Sequence, residues 1–418
     1  VNHLPTAAFD FCCPTRVWFG WGVRTRLAPL LASLRKRHVA LVTDTHWTQH
    51  SAVADELVAA IRQSGLVVTV FDGCLPDPTV AQCDAAAAWV RQQAVQQGLA
   101  VDAVVALGGG SAIDLAKALC VVLPDAAAGA PTLRFVGLPT LPHPPIDLFA
   151  LPTTSGAGSE ITPGAILLKD DAHAKAALMS NELRAKAALI DPELTLTCPP
   201  RVTADAGMDA LTHAIESYLT LDAARFNAQA NADPGYSGRS PLTMHFAREA
   251  IRLGFAYLPT AFAAGSDRNA REGMALCSLY AALSYASAGL NAVHALAYGL
   301  ASVTHESHGR TNAVLLPYAM QALADNPAAN RVRELADIAR LAGCTEADDM
   351  KAALEAGPRV QALIALLQMP TTLRGMGLDE AGRQAMLAEG LGVARLNKAW
   401  PGRPVADDYP AIATAAMG

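Results

Sequence analysis

Val101-Asp-Ala-Val-Val-Ala-Leu-Gly-Gly-Gly-Ser-Ala-Ile-Asp-Leu-Ala-Lys117 reads as a short buried strand, a glycine turn and then a helix carrying Asp114 and Lys117. Glycines let a backbone approach a diphosphate closely, and a helix N-terminus adds unpaired N–H groups and a favourable dipole. Such a turn binds phosphate. It departs from G-x-G-x-x-G because Ile113 stands where a third glycine counted from Gly108 would be, and no Walker lysine directly follows the glycines. A second turn of small residues follows another strand, in Phe149-Ala-Leu-Pro-Thr-Thr-Ser-Gly-Ala-Gly-Ser-Glu160. One cradle alone is compatible with a plain strand-helix turn; two in one half of the chain point to a nucleotide.

Working outward, short Val/Leu-rich runs alternate with Ala-rich helical stretches before about residue 197: Val39 to Thr43, Val67 to Phe71, Val101 to Leu107, Leu148 to Leu151, Ala165 to Leu168 and Ala187 to Ile190. That alternation predicts a largely parallel, Rossmann-like sheet with flanking helices. After Pro199-Pro200 the texture becomes helical, with long Ala/Leu stretches such as Arg248 to Tyr257 and Glu272 to Ala286. The expected organisation is an α/β dinucleotide-binding domain over 1–197 and an all-α domain over 198–418. The expected active site is the cleft where a sheet-borne cofactor faces helix-borne ligands.

The helical half carries Met208-Asp-Ala-Leu-Thr-His-Ala-Ile-Glu216, then Val293-His-Ala-Leu-Ala-Tyr298 and Ser307-His-Gly309. Asp209 and His213 are four apart in a helical run, so both side chains leave one face and reach one ion. His294 and His308 are fourteen apart, roughly 21 Å on an unbroken helix. If both bind one ion, the chain must break between them, and Gly299, Ser302 and the polar Thr304-His-Glu-Ser-His-Gly309 give it the means. His305 is the alternative ligand on that loop. Taken singly, each histidine is an ordinary polar or core residue; together, one carboxylate and three imidazoles suit Fe(II) or Zn(II).

Taken together, Gly108-Gly-Gly-Ser-Ala-Ile-Asp-Leu-Ala-Lys117, Pro152-Thr-Thr-Ser-Gly-Ala-Gly-Ser-Glu160, Asp191-Pro-Glu-Leu194, Ala206-Gly-Met-Asp-Ala-Leu-Thr-His-Ala-Ile-Glu216, Val293-His-Ala-Leu-Ala-Tyr298 and His308-Gly-Arg-Thr-Asn-Ala-Val-Leu-Leu-Pro317 resemble the iron-containing (group III) alcohol dehydrogenase family, within the superfamily that includes glycerol dehydrogenase and dehydroquinate synthase. The blocks stand in family order along essentially the whole chain. The resemblance implies that Asp209, His213, His294 and His308 hold a divalent metal, usually iron and sometimes zinc. It implies that Gly109, Gly110 and Ser111, with Asp114, take the dinucleotide diphosphate, and that Thr153, Thr154 and Lys175 lie along the cofactor nearer the nicotinamide. Asp44 ends the strand Val39 to Thr43, where an acidic residue accepts hydrogen bonds from an unmodified ribose and repels a 2'-phosphate; this favours NAD over NADP. The plainer role for Asp44 is a helix N-cap.

Some positions depart from the family pattern. Tyr298 stands where many members have a histidine credited with proton transfer, and a tyrosine there either relays or packs. Ala157 replaces a usual threonine, Gly299 a common proline. The polar segment Leu221 to Pro241 is longer than the usual link and either shapes substrate entry or decorates the surface, its composition favouring the surface.

The 418 residues are 52% hydrophobic and 17% charged, enough to bury a large core. A net charge of −6 with no basic stripe argues against nucleic acid, and no run of about 18 uncharged apolar residues suggests a membrane span. The first residues lack a signal-peptide pattern, eight cysteines contain no C-x-x-C pair, and no G-x-S-x-G elbow supports a hydrolase. A cytoplasmic enzyme is expected, forming a homodimer or larger homo-oligomer, with Phe9 to Trp21 able to pair across a two-fold axis. The expected reaction is reversible hydride transfer between a small alcohol, as aldehyde or ketone when oxidised, and NAD. The rival activities are a maleylacetate reductase or hydroxyacid-oxoacid transhydrogenase, a dehydroquinate synthase-type lyase, and a non-catalytic scaffold.

Overall fold

The computed structural model describes residues 8–125, 131–138, 140–169, 175–227 and 235–418. Two compact units divide the chain: one comprises Cys13–Thr154 and Gly158–Thr195, the other Leu196–Gly418 with Ser155–Ala157 and the residues up to Cys12.

The α/β unit is built on a six-stranded sheet. Its strands are β1 (Arg16–Phe19), β2 (His38–Val42), β3 (Val67–Phe71), β4 (Ala103–Gly108), β5 (Asp147–Pro152) and β8 (Ala187–Ile190), in the order β1-β8-β5-β4-β2-β3 with every pairing parallel. Alternate residues serve opposite faces. Val104 and Ala106 of β4 join Ala40, Val42, Leu148 and Ala150 in one cluster, against the helices α4 (Val80–Gln97) and α5 (Gly110–Val122). Val105 and Leu107 join Val39, Leu41, Phe149 and Leu151 in the other, against α1 (Leu27–Ser33) and α3 (Val53–Gln63). The short α2 (Thr45–Gln49) follows β2.

The run Ala165 to Leu168 is not part of this sheet. It forms β6 (Gly164–Leu168), which pairs antiparallel with β7 (Lys175–Met179) in a separate two-stranded sheet. The alanine-rich stretch after Asp125 lies outside the described residues.

The second unit is helical: α6 (Pro200–Leu219), α7 (Ala223–Asn227), α8 (Pro241–Ala263), α9 (Arg268–Ala288), α10 (Ala292–Thr304), α11 (His308–Ala324), α12 (Val332–Leu341), α13 (Asp349–Leu366), α14 (Glu380–Gly392), α15 (Ala394–Asn397) and α16 (Val405–Met417). Among the described residues no single helix is long and apolar enough to cross a membrane. Helix α6 is buried along nearly its whole length and ends against the fully buried Arg331, whose guanidinium donates to the Leu219 and Thr220 carbonyls at 2.8 and 2.9 Å. Those carbonyls have no partner within the helix, and the cation also meets the negative end of its dipole.

The segment Leu221 to Pro241 departs from its surface expectation in part: Ala224, Arg225, Asn227 and Pro241 are exposed, but other described residues turn inward. It contains α7, and Tyr236, Ser237, Arg239 and Ser240 are buried. Arg239 decides this packing: its guanidinium pairs with Asp222 and Glu334 and donates to the Tyr218 carbonyl.

Helix α11 starts hard against α6. A Cβ on Gly309 would fall 1.9 Å from the Asp205 carbonyl oxygen, so the two backbones touch where only hydrogen fits. Gly309→Ala is therefore expected to lose about 1–3 kcal/mol of unfolding free energy, as overpacked sites do. Gly392→Ala, at a helical glycine with nothing within 4 Å of the added carbon, is the control and should be neutral or stabilising in the same denaturant titration. Equal stability of the two variants would contradict the close approach.

Candidate metal and cofactor sites

Helix α6 presents Asp205, Asp209, His213 and Glu216 at spacings of four, four and three, which is one face of a helix. The middle pair supplies two donors. The outer pair fixes the helices that bring the other two.

Asp205 holds α11. It accepts from Ser307 Oγ at 2.6 Å and from the Arg310 guanidinium at 3.2 Å, the residues flanking His308 at the start of that helix. Glu216 holds α10. Its Oε1 accepts from the backbone N–H of Val293 at 2.8 Å and of Asn291 at 3.3 Å, and its Oε2 contacts His294 Nδ1. Burial pushes Glu216 up to about 8, against the backbone N–H groups it accepts from, so it shares a proton with His294; a hydrogen on Nδ1 is the arrangement that leaves Nε2 bare for an ion.

The break between His294 and His308 falls at His305, which takes the left-handed conformation at φ 56 and ends α10. Gly299 and Ser302 lie inside that helix. Gly299 answers instead to packing, because a Cβ there would sit 2.4 Å from the Met386 carbonyl oxygen of α14. His305 is exposed and lies outside the donor cluster.

Asp209, His213, His294 and His308 each place one ligand atom so that all four lie within 4.8 Å of one another. His213 Nε2 and His308 Nε2 stand 3.7 and 3.9 Å from Asp209 Oδ1. The rings are locked by stacking: Tyr285 lies on His213 with centroids 4.1 Å apart, His213 on His294 at 4.7 Å, and His308 meets His294 edge-on at 5.0 Å. Tyr285 is itself tied down by its hydroxyl, which donates to the Ala157 carbonyl at 2.6 Å. Tyr298 stands beside His308 with ring centroids 5.7 Å apart.

The protonation states suit ligation. Burial pushes His213 and His294 down to about 4, against the opposing pull of Asp209, so both rings are neutral at pH 7. Burial also pushes the Asp209 carboxyl up, but the surrounding histidines and the Asn312 amide outweigh it and hold the group below its ordinary value. An ionised carboxylate and neutral imidazoles are the forms a divalent ion requires. The residues present therefore fit Fe(II) or Zn(II).

In the α/β unit the two small-residue turns stand side by side, because β4 and β5 are neighbours: Gly108 pairs with Pro152, and Thr153 N–H donates to the Gly108 carbonyl at 3.1 Å. A Cβ on Gly108 would fall 2.6 Å from that of Ala112, and one on Gly109 3.2 Å from Thr154 Oγ1. Helix α5 begins at Gly110 with no side chain capping it, leaving its first N–H groups for an anion. Ser111 Oγ accepts from Asp77 N–H at 3.2 Å, and Lys175 lies 3.6 Å from the Asp77 carboxylate. Asp114 turns to the protein instead, accepting from Ser159 Oγ and from Ile166 N–H. Asp44 is the N-cap of α2, accepting from His46 N–H at 2.9 Å.

Glu216, Asp205, Tyr285 and Asn312 escaped the sequence reading of this site. The signal was present for the first two: ionisable residues continuing the Asp209/His213 spacing on a helix whose other positions are apolar.

Comparison with known proteins agrees with this architecture. The sequence model of the iron-containing alcohol dehydrogenases matches residues 14–192, and that of the family's C-terminal region matches residues 235–417. Long-chain-alcohol dehydrogenase 1 of Geobacillus thermodenitrificans (strain NG80-2) is 33% identical over 379 residues, 90% of this chain and 89% of that protein. The crystal structure of a 1,3-propanediol oxidoreductase superposes with a TM-score of 0.86 at 30% identity, over 98% of this chain and 100% of the other. The sulfoacetaldehyde reductase of Bifidobacterium kashiwanohense, solved in complex with NAD+, does so with a TM-score of 0.80 at 26% identity, over 98% and 99%. The chain belongs to the iron-containing alcohol dehydrogenase family.

Proposed function

We propose that this protein is an NAD-dependent alcohol dehydrogenase that holds Fe(II), with Zn(II) the second choice, and interconverts a small alcohol with its aldehyde or ketone. The observation that carries the reading is the convergence of Asp209, His213, His294 and His308, with the Asp209 carboxyl held low and His213 and His294 held neutral. An ion held there supplies Lewis acidity to the substrate oxygen, and the nicotinamide supplies the hydride acceptor.

The chain's own residues bind, orient and shield. Asp209, His213 and His294 are buried, whereas the His308 side chain is 31% exposed, so substrate approaches the set past His308. Tyr298 stands on that side, and we assign its hydroxyl to proton exchange with the substrate oxygen. Gly109, Gly110 and Ser111 take the cofactor diphosphate at the uncapped start of α5, with Asp114 bracing the segment beside it. We assign Thr153, Thr154 and Lys175 to the cofactor, and to its ribose the Asp44 oxygen not used in capping α2, which favours NAD over NADP. The NAD+ complex of the Bifidobacterium relative supports the choice of cofactor. A homo-oligomer in a reducing cytoplasm belongs to the same reading.

The direct test is NADH formation across primary alcohols, diols and hydroxyacids, beside elemental analysis. Alcohol-dependent NADH with about one equivalent of iron or zinc is the expected result, and His294→Ala should lose metal and turnover together; a variant keeping both would remove His294 from the site. Tyr298→Phe should keep its metal but lower kcat by about 10²-fold or more, while an unchanged kcat would leave Tyr298 a packing residue. Acid sensitivity has a stated sign: a protonated imidazole has no lone pair to give, and His213 and His294 protonate only near 4 instead of 6.5. Metal content after dialysis should therefore hold as the pH falls through 6.5 and drop toward about 4. In the metal-free protein the same two rings, followed by NMR, should titrate near 4, and midpoints near 6.5 would contradict their burial.

A further inference from the structure

Among the described residues, Asn312 is a polar group at the donor set to which the mechanism gives no work. It lies on α11 one turn after His308 and is fully buried. Its Nδ2 donates to Asp209 Oδ1 at 2.9 Å and stands 3.2 Å from both His294 Nε2 and His308 Nε2. Its Oδ1 is buried with no hydrogen-bond partner. An amide nitrogen has two hydrogens and here faces Asp209 Oδ1 and two imidazole Nε2 atoms, which are acceptors in the tautomers that ligation requires, while the carbonyl at the other end has no donor. Packing alone does not explain this, since a leucine fills the same volume and leaves no carbonyl unpaired.

The lone pairs explain it. Asp209, His294 and His308 direct electron-rich atoms at one another, and only a positive group between them offsets that repulsion. The N–H end of the amide is such a group. Turning the amide over would put its carbonyl oxygen against the same three atoms. We propose that Asn312 is a positioning residue that holds Asp209, His294 and His308 in register before an ion arrives, and that closes the face formed by these three donors to any outside ligand. Once the imidazole lone pairs are given to an ion, Asn312 keeps Asp209, whose carboxylate has lone pairs to spare. Substrate is thereby confined to the remaining approach, at the exposed edge of His308.

The inference rests on the metal-site reading, and the experiment separates the two. Co(II) affinity is measured by chelator competition for the parent protein, Asn312→Leu and Asn312→Ala, with visible absorption of each Co(II) form and thermal unfolding of each metal-free form. Both variants should bind Co(II) about tenfold to a hundredfold more weakly than the parent, the range seen when groups that orient ligands are removed. Leucine keeps the face covered and should keep the intensity of the parent's visible bands; alanine uncovers it to water, and the bands should weaken as the coordination number rises. Variants that fold and bind Co(II) as tightly as the parent overturn the proposal. Should Asn312→Leu fail to fold, Asn312→Ala decides by the same affinity criterion. A parent that binds no Co(II) overturns the metal reading itself, and this inference with it.

Discussion

One face of α6 sets the geometry of everything around the donor set. Asp205, Asp209, His213 and Glu216 are all at most 9% exposed, so three carboxyl groups are withdrawn from water along a single stripe. Each such burial costs several kcal/mol unless hydrogen bonds or ions offset it. The offsets are what order the neighbours: Ser307 and Arg310 answer Asp205, Asn312 answers Asp209, and the backbone N–H groups opening α10 answer Glu216. Satisfying the stripe therefore delivers His294 and His308 to Asp209 and His213. The geometry of the donor set follows from the partners that the buried carboxyl groups of this stripe find.

The helices around α6 approach it closely enough to leave little play. Leu258 of α8 packs where a Cβ on Gly207 would stand, 2.3 Å from its Cδ1, and Leu211 of α6 reaches within 3.1 Å of the corresponding point on Gly254. Burial at this density also dries the site, which is why His213 and His294 stay neutral and keep their lone pairs. Packing and protonation state are thus one property seen at two levels. His308, with 31% of its side chain exposed, is the exception.

Much of this was legible in the residues. The Val/Leu runs gave β2 to β5 and β8 because strands buried on both faces are continuously apolar, and a spacing of four was enough to pair Asp209 with His213. Other features were hidden for physical reasons. Ala165 to Leu168 looks like a sheet strand, but its partner is Lys175-Ala-Ala-Leu-Met179, made of good helix formers that pairing overrides. Spacing alone did not choose between His305 and His308; the choice follows from where the chain turns left-handed, and the family resemblance supplied it. Composition misjudged Leu221 to Pro241, since an arginine reads as surface until Asp222 and Glu334 are found beside it. Asn312 was invisible because an asparagine inside a helix announces nothing until its three acceptors are in place.

The central claim is that these four side chains bind one ion. Crystals of the metal-loaded protein, with diffraction recorded on both sides of the iron and zinc absorption edges, test it directly. A single anomalous peak at about 2.0–2.2 Å from Asp209, His213, His294 and His308 is predicted. A peak elsewhere in the chain, or loaded protein with none between these four residues, would contradict it.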